Sequence, residues 1–383
     1  MEIVGIIAEY NPMHNGHIHH IKKIKEMFNN PTIILVLSGN FTQRGDASII
    51  NKWDKTKIAL SYGVDIVLEL PFIFACQSAD YFAFGSISIL NEMKCTHLVF
   101  GSESNDIEKL SKLATLEEES REFKNILKQY LSNGYSYPFA LSIALKETTG
   151  LTLDKPNDIL GMCYIKEILK QKTHIKPITI ARTNDFHSDK LEEIASATSI
   201  RKAIKDHNEV YDYVPNLTYN KLDNPIFIDD YFNLIKYKII SEIDNLEKFL
   251  TIDEGLSGRI KSSILNSFTY KDLIEKVKSK NYTHNKITRA LTQILIGVTK
   301  EDKVLLSKVD YLRLLGFTKK GQKYLNEIKK EISIPLITKY DPSISDVLKI
   351  DFKATLIYSA LFSEDMQKKM IKTEFQSMPI IIK

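Results

Sequence analysis

Cysteine is scarce in this 383-residue chain: Cys76, Cys95 and Cys163 lie far apart and form no CxxC pair. An odd, scattered set excludes a disulfide framework and a thiolate zinc knot, and it points to a reducing, cytoplasmic setting. Long apolar runs are missing too. None approaches the roughly 20 residues of a membrane-crossing helix, so no membrane partner is expected. The first residues carry an acid, Glu2, and no basic segment, so no secretory leader is expected. There is one tryptophan, no internal repeat and no low-complexity segment. What remains is an ordinary globular composition, 43% hydrophobic and 26% charged. The length suits two domains, each with its own core.

The net charge of +4 conceals an asymmetry. Residues 1–200 sum to −3 and residues 201–383 to +7, while 271–330 hold 15 basic and 6 acidic side chains. A basic stretch of this kind is the footprint of a polyanion partner. On charge alone, a solvated lysine-rich helical face accounts for it at least as well.

Short apolar runs at Ile3–Ala8, Thr32–Ser38, Asp65–Glu69, His97–Phe100 and Pro177–Ala181 alternate with helical spacing. That pattern predicts five parallel strands in a doubly wound α/β sheet of the Rossmann type. Asn157 to Leu169 reads as an amphipathic helix after Pro156, and Ser196 opens another. Beyond about Asp206 strand signals thin out, and helical spacing takes over at Tyr231–Leu250 and Ile260–Lys330. The expected organisation is an α/β domain over 1–210 and a mainly helical, basic domain over 211–383. Tyr211 to Pro225, rich in Asn, Asp and Pro, is the expected linker.

Chemistry concentrates at two strand–helix junctions. After the first strand comes Asn11-Pro12, then His14-Asn15-Gly16-His17 at the start of a helix. The first turn of a helix presents free N–H groups and a positive dipole end to an anion, and Gly16 permits close backbone approach. His14 and His17, three apart, share one face and can donate to phosphate oxygens. His19 and His20 show that the helix is simply histidine-rich, so the four residues alone also fit a solvated helix start. The second junction, Ser196-Ala197-Thr198-Ser199-Ile200-Arg201, offers hydroxyls that cap a helix or bind phosphate, and a guanidinium fork. Both junctions occupying the two ends of one α/β pattern favours a nucleotide site over two unrelated caps.

These two motifs resemble the nucleotidyltransferase superfamily, relatives of class I aminoacyl-tRNA synthetases. Glu9-Tyr10-Asn11-Pro12, Ser38–Gly45, Leu68–Phe72, Phe100-Gly101-Ser102-Glu103 and Pro156–Gly161 narrow the resemblance. Together they resemble the bacterial tRNA(Met) cytidine acetate ligases across the α/β half. The resemblance continues more weakly through Arg289 and Leu312–Phe317. It implies activation of acetate by ATP as acetyl-adenylate, then acetylation of N4 of the wobble cytidine in elongator tRNA(Met). It also implies a nucleotide site of Ile7, Ala8, Glu9, Tyr10, Asn11, Pro12, Met13, His14, Asn15, Gly16, His17, Ile18 and His20. Gly101, Asn157, Arg182, Thr198, Ser199 and Arg201 complete that set.

The chemistry assigns His14 and His17 to the α-phosphate and the departing oxygens, and Arg201 with Ser199 to pyrophosphate. Mg2+ is expected to ride with the ATP phosphates, since no acidic cluster offers a protein-held site. Asp46 is a candidate general base, although a salt-bridged surface acid fits it as well. Arg44, Lys52, Arg289, Arg313, Lys319, Lys320 and Lys323 are the candidate tRNA contacts; no DNA partner is expected. Two rival readings share the motifs. A small-molecule adenylyltransferase or pantothenate-synthetase-like ligase gives no reason for a basic second half. A non-catalytic RNA-binding protein gives no reason for intact His14, Gly16, His17 and Arg201.

Overall fold

The computed structural model describes residues 2–182, 195–376 and 378–382. Its frame is five parallel strands: β1 (Ile3–Ala8), β2 (Thr32–Ser38), β3 (Ile66–Leu70), β4 (His97–Ser102) and β5 (Lys176–Ala181). They lie in the order β5-β4-β1-β2-β3, with Ile3 opposite Thr32 and Ile34 opposite Ile66. The doubly wound reading holds, with strand bounds within two residues of expectation.

Alternation along each strand sends side chains to two separate layers. Val4, Ile6, Leu35 and Val67 meet Ile21 and Ile24 of the helix Asn15–Met27 and Ile58 of the helix Lys52–Ser61. Ile3, Val36, Leu68 and Phe100 meet Leu90 of the helix Ala79–Glu92 and Met162 of the helix Pro156–Lys170. Burial on both faces explains why β1 and β2 read as unbroken apolar runs, whereas the edge strand β5 is only half-buried. The chain steps from β1 through β3, then returns to the other side of β1 for β4 and β5. This reversal opens a crevice at the carboxyl ends of β1 and β4.

The second half contributes strands as well as helices. β6 (Leu312–Thr318) pairs antiparallel with β3, and β7 (Leu336–Ile337) and β8 (Ile380–Ile382) pair parallel with β6. All eight strands form one sheet. Leu291, Ile294 and Tyr358 share a buried cluster with Leu68 and Phe100. The division expected at 210/211 therefore does not separate two cores. Nor is 211–225 an open linker: Asn216–Tyr219 is helical, and Val214 packs with Ile200 and Ala203.

Three expected RNA contacts change meaning here. Lys52 and Arg313 are buried and ion-paired through Glu374, at 2.8 and 3.3 Å, and Lys52 also meets Glu69 at 2.9 Å. Burial opposes the charge on Lys52, but Glu374 and Glu69 outweigh it and raise its pKa. Neither cation faces a partner; both tie helix Glu364–Gln376 to the sheet. Lys320 donates to the carbonyls of Asn30 (3.0 Å) and Pro31 (2.6 Å), just before β2. Lys319, Lys320 and Lys323 sit on the helix Lys319–Ile328 at that amino-terminal end of the strands, opposite the crevice. They are not part of the site's mouth.

Candidate active site

At the crevice, a cavity of about 1010 Å3 opens between the ends of β1, β4 and β5 and the helices that follow. His14 is the N-cap of the helix Asn15–Met27, and its Nδ1 accepts from Gly16 N at 3.1 Å. His17 Nδ1 accepts from His14 N at 3.1 Å, completing a reciprocal cap. A neutral imidazole has one donor and one acceptor nitrogen. With both Nδ1 atoms accepting, the protons reside on Nε2, so each ring keeps one N–H for a ligand. The rings lie 3.8 Å apart, and Tyr10 flanks His17 at 4.6 Å.

These rings are held neutral. Burial, then the charges of Arg182 and Arg201, lowers the His14 pKa to about 3. Burial and then His14 take His17 well below the ordinary value, and burial and then Arg182 take His20 to about 4. The unfolded chain binds more protons than the folded one below pH 6.5, so stability falls as pH drops through this window. We expect the urea-unfolding free energy of the unliganded protein to decline from pH 6.5 towards 4, and to decline less in His20→Asn. Equal slopes in both proteins would mean that the His20 imidazole is solvated and does not contribute.

Two guanidinium groups complete this end. Arg201 donates to Asn11 O at 2.7 Å and lies 3.8 Å from Asp46. Asn11 in turn accepts from Ile49 N at 2.9 Å, so the loop after β1 is pinned to the segment after β2. Arg182 follows β5, and its buried Nε has no partner among the described residues; His20 Nε2 and the Tyr10 hydroxyl share that condition. A buried donor without a partner is costly, and all three residues line the cavity. Gly101 presents bare backbone to Arg182, whose Cγ would lie 3.2 Å from an added Cβ. Glu103 caps the helix Pro156–Lys170, accepting from Asn157 Nδ2 (2.6 Å) and Asp158 N (3.0 Å). Asp158 reciprocates by accepting from Ser102 Oγ (2.6 Å) and Glu103 N (3.0 Å).

The cavity gathers Ile7, Ala8, Glu9, Tyr10, Asn11, His14, Gly16, His17, His20, Gly101, Asn157, Arg182, Thr198 and Arg201 from the expected nucleotide set. Five other members point elsewhere. Pro12 and Met13 are buried, Ile18 packs against the core, and Asn15 donates to Asp212 O at 2.8 Å. Ser199 is buried and spends its hydroxyl on Ser196 O at 2.9 Å, so Thr198 is the hydroxyl that faces the cavity. Arg44, Asp46 and Arg289 also line it.

Sequence reasoning missed Lys55. Buried in the helix Lys52–Ser61, it donates to Glu9 O, Ser38 O and Gly39 O at 2.8–2.9 Å, clamping the ends of β1 and β2. Burial lowers its pKa to about 7. The available signal was Lys52, Lys55 and Thr56 at the same spacing as the apolar Ala59, that of one buried helix face.

Residues 1–374 match the HIGH Nucleotidyl Transferase family model. A tRNA(Met) cytidine acetate ligase of Caldicellulosiruptor bescii is 40% identical across 100% of this chain and 99% of that protein. The chain belongs to this ligase family. Its Clostridium novyi relative, of the same name, is also 40% identical with both chains fully covered. The family fold is shared with crystal structures of Thermotoga maritima TmcAL. The unliganded form gives a TM-score of 0.93 at 33% identity, covering 100% of each chain. The form bound to alpha-thio ATP gives 0.90 at 34% identity, covering 100% of this chain and 99% of that one.

Proposed function

We propose that this protein is an ATP-dependent acetate ligase that acetylates N4 of the wobble cytidine of elongator tRNA(Met). The observation that carries the first half of this reading is the pair of neutral Nε2–H donors flanked by Arg182 and Arg201, at the switch point of the sheet. An acetate oxygen attacks the α-phosphorus of ATP, the bond to the β-phosphate bridging oxygen breaks, and pyrophosphate leaves. No protein nucleophile is required; the step depends on positioning and on donors aimed at growing negative charge. His14 and His17 serve the α-phosphate and bridging oxygen, and Arg201 the departing pyrophosphate. A divalent cation such as Mg2+ would travel with the phosphates: among the described residues no group of three His, Cys, Asp or Glu side chains could hold a metal.

In the second half, the cytidine N4 attacks the acetyl carbonyl, AMP leaves with the bond electrons, and N4 loses one proton. Asp46 faces the cavity and is the candidate acceptor for it, with Arg201 alongside. An unpaired anticodon base reaches such a site at low cost. Among the described residues no helix is long and apolar enough to cross a membrane.

Incubation with ATP and labelled acetate, with and without tRNA(Met), tests this. Label in tRNA as N4-acetylcytidine, with stoichiometric AMP and pyrophosphate, is the expected result. Label in a small amide, or no ATP turnover, would overturn it.

A further inference from the structure

The cavity is larger than its catalytic end. At about 1010 Å3 it sits at the top of the roughly 300–1,000 Å3 span of single small-ligand pockets. Part of its wall comes from the second half of the chain, through Asn285, Lys286 and Arg289 of the helix His284–Ile296. That helix is clamped to the turn Thr42–Asp46. The Thr288 hydroxyl donates to Arg44 O, and Thr292 Oγ1 donates to Gly45 O at 2.6 Å. Gly45 has φ +88°, and a Cβ there would lie 2.7 Å from Arg289 N and the Thr288 carbonyl, so only glycine allows this approach. The clamp places Arg44 beside Arg289.

The Arg289 side chain lines the cavity and has no hydrogen bond or ion pair among the described residues. Arg44 repels it. His14 feels the charges of Arg182 and Arg201, and Arg44 acts on both Arg182 and Arg289. Two neighbouring guanidinium groups facing one cavity, in addition to Arg182 and Arg201, suit a second anion.

We propose that Arg289, with Arg44, forms a phosphodiester subsite that grips the backbone next to the nucleotide entering the cavity. Its fork suits bidentate contact with non-bridging phosphate oxygens. The subsite rests on the reading of the substrate as RNA. It would hold the strand from the wall formed by the helix His284–Ile296, so the base enters with its amine directed toward the acyl phosphate.

Binding of an anticodon stem-loop RNA is the test, read by fluorescence anisotropy in a two-by-two cycle. One axis is the unaltered protein against Arg289→Gln. The other is natural RNA against RNA carrying a neutral methylphosphonate at the phosphate 5′ or 3′ of the target cytidine. Each change alone should weaken binding about 10- to 100-fold, and at one of the two phosphates the losses should not add. Additive losses, or no loss at either phosphate with the unaltered protein, would overturn the subsite. So would an equal loss of acetate-dependent ATP–pyrophosphate exchange in Arg289→Gln, which would assign the residue to small substrates. The methylphosphonate arm on the unaltered protein needs no variant to fold. Coupled losses in a protein that binds the RNA but never acetylates it would sink the proposed reaction and leave the subsite standing.

Discussion

Replacing His17 by Gln should leave the protein folded and lower acetate-dependent pyrophosphate release about 100- to 1,000-fold. The size is that of losing one donor aimed at transition-state charge. Gln is chosen because His17 does two things at once. Its Nδ1 accepts from His14 N, which is the structural role of the third residue in a capping box. A Gln side chain can still accept from that N–H through Oε1, which commits its amide to the cap and leaves no N–H where the ring Nε2–H stands. His17→Ala removes both, and should lose about 1 kcal/mol of stability in addition. The comparison separates capping from catalysis. If His17→Gln releases pyrophosphate at the unaltered rate, the ring serves only as a cap. His14→Asn offers the matching control at the N-cap, where Asn is among the preferred residues.

The second large effect is structural. Glu374→Ala should destabilise the protein by about 3–5 kcal/mol, because it leaves buried cations short of a counter-charge. The Glu374 carboxylate meets Lys52 Nζ (2.8 Å), Trp53 Nε1 (3.2 Å) and Arg313 Nη2 (3.3 Å), and all three side chains sit between helix and sheet. Lys52 would keep Glu69, but Arg313 would keep only the residue-374 carbonyl at 3.3 Å and the Trp53 ring at 5.9 Å. Urea unfolding of Glu374→Ala against the unaltered protein measures the loss. A change under about 1 kcal/mol, the range of exposed pairs, would show that water reaches this seam.

The two assignments that failed together, Lys52 and Arg313, share a cause. On a sequence, a lysine or arginine in a basic region looks solvated, because burial of a cation is rare without partners. The partners here, Glu69 and Glu374, lie 17 and more than 300 residues from Lys52, and Glu374 lies 61 residues from Arg313. No local pattern announces such a pairing. β6 escaped notice for a related reason: Leu312–Phe317 is buried on both faces and so lacks alternation, and it lies among lysine-rich helices. Arg289 is the opposite case. The sequence offers it as a phosphate contact in a basic stretch, and only the docking of Gly45 against the Thr288 carbonyl brings it to the cavity.

The sequence by itself determined the parallel sheet, since buried strands must be apolar runs of strand length separated by helical spacing. It determined the two strand–helix junctions that carry the histidines and Arg201, and the family, because those signals are local and contiguous. Tertiary structure alone decided which imidazole nitrogen faces the ligand, that Thr198 and not Ser199 opens to the cavity, and that both halves share one sheet and one site. Those outcomes depend on hydrogen bonds and ion pairs between residues far apart in the chain. Their free energies exist only once the chain has brought the partners together and excluded water from between them.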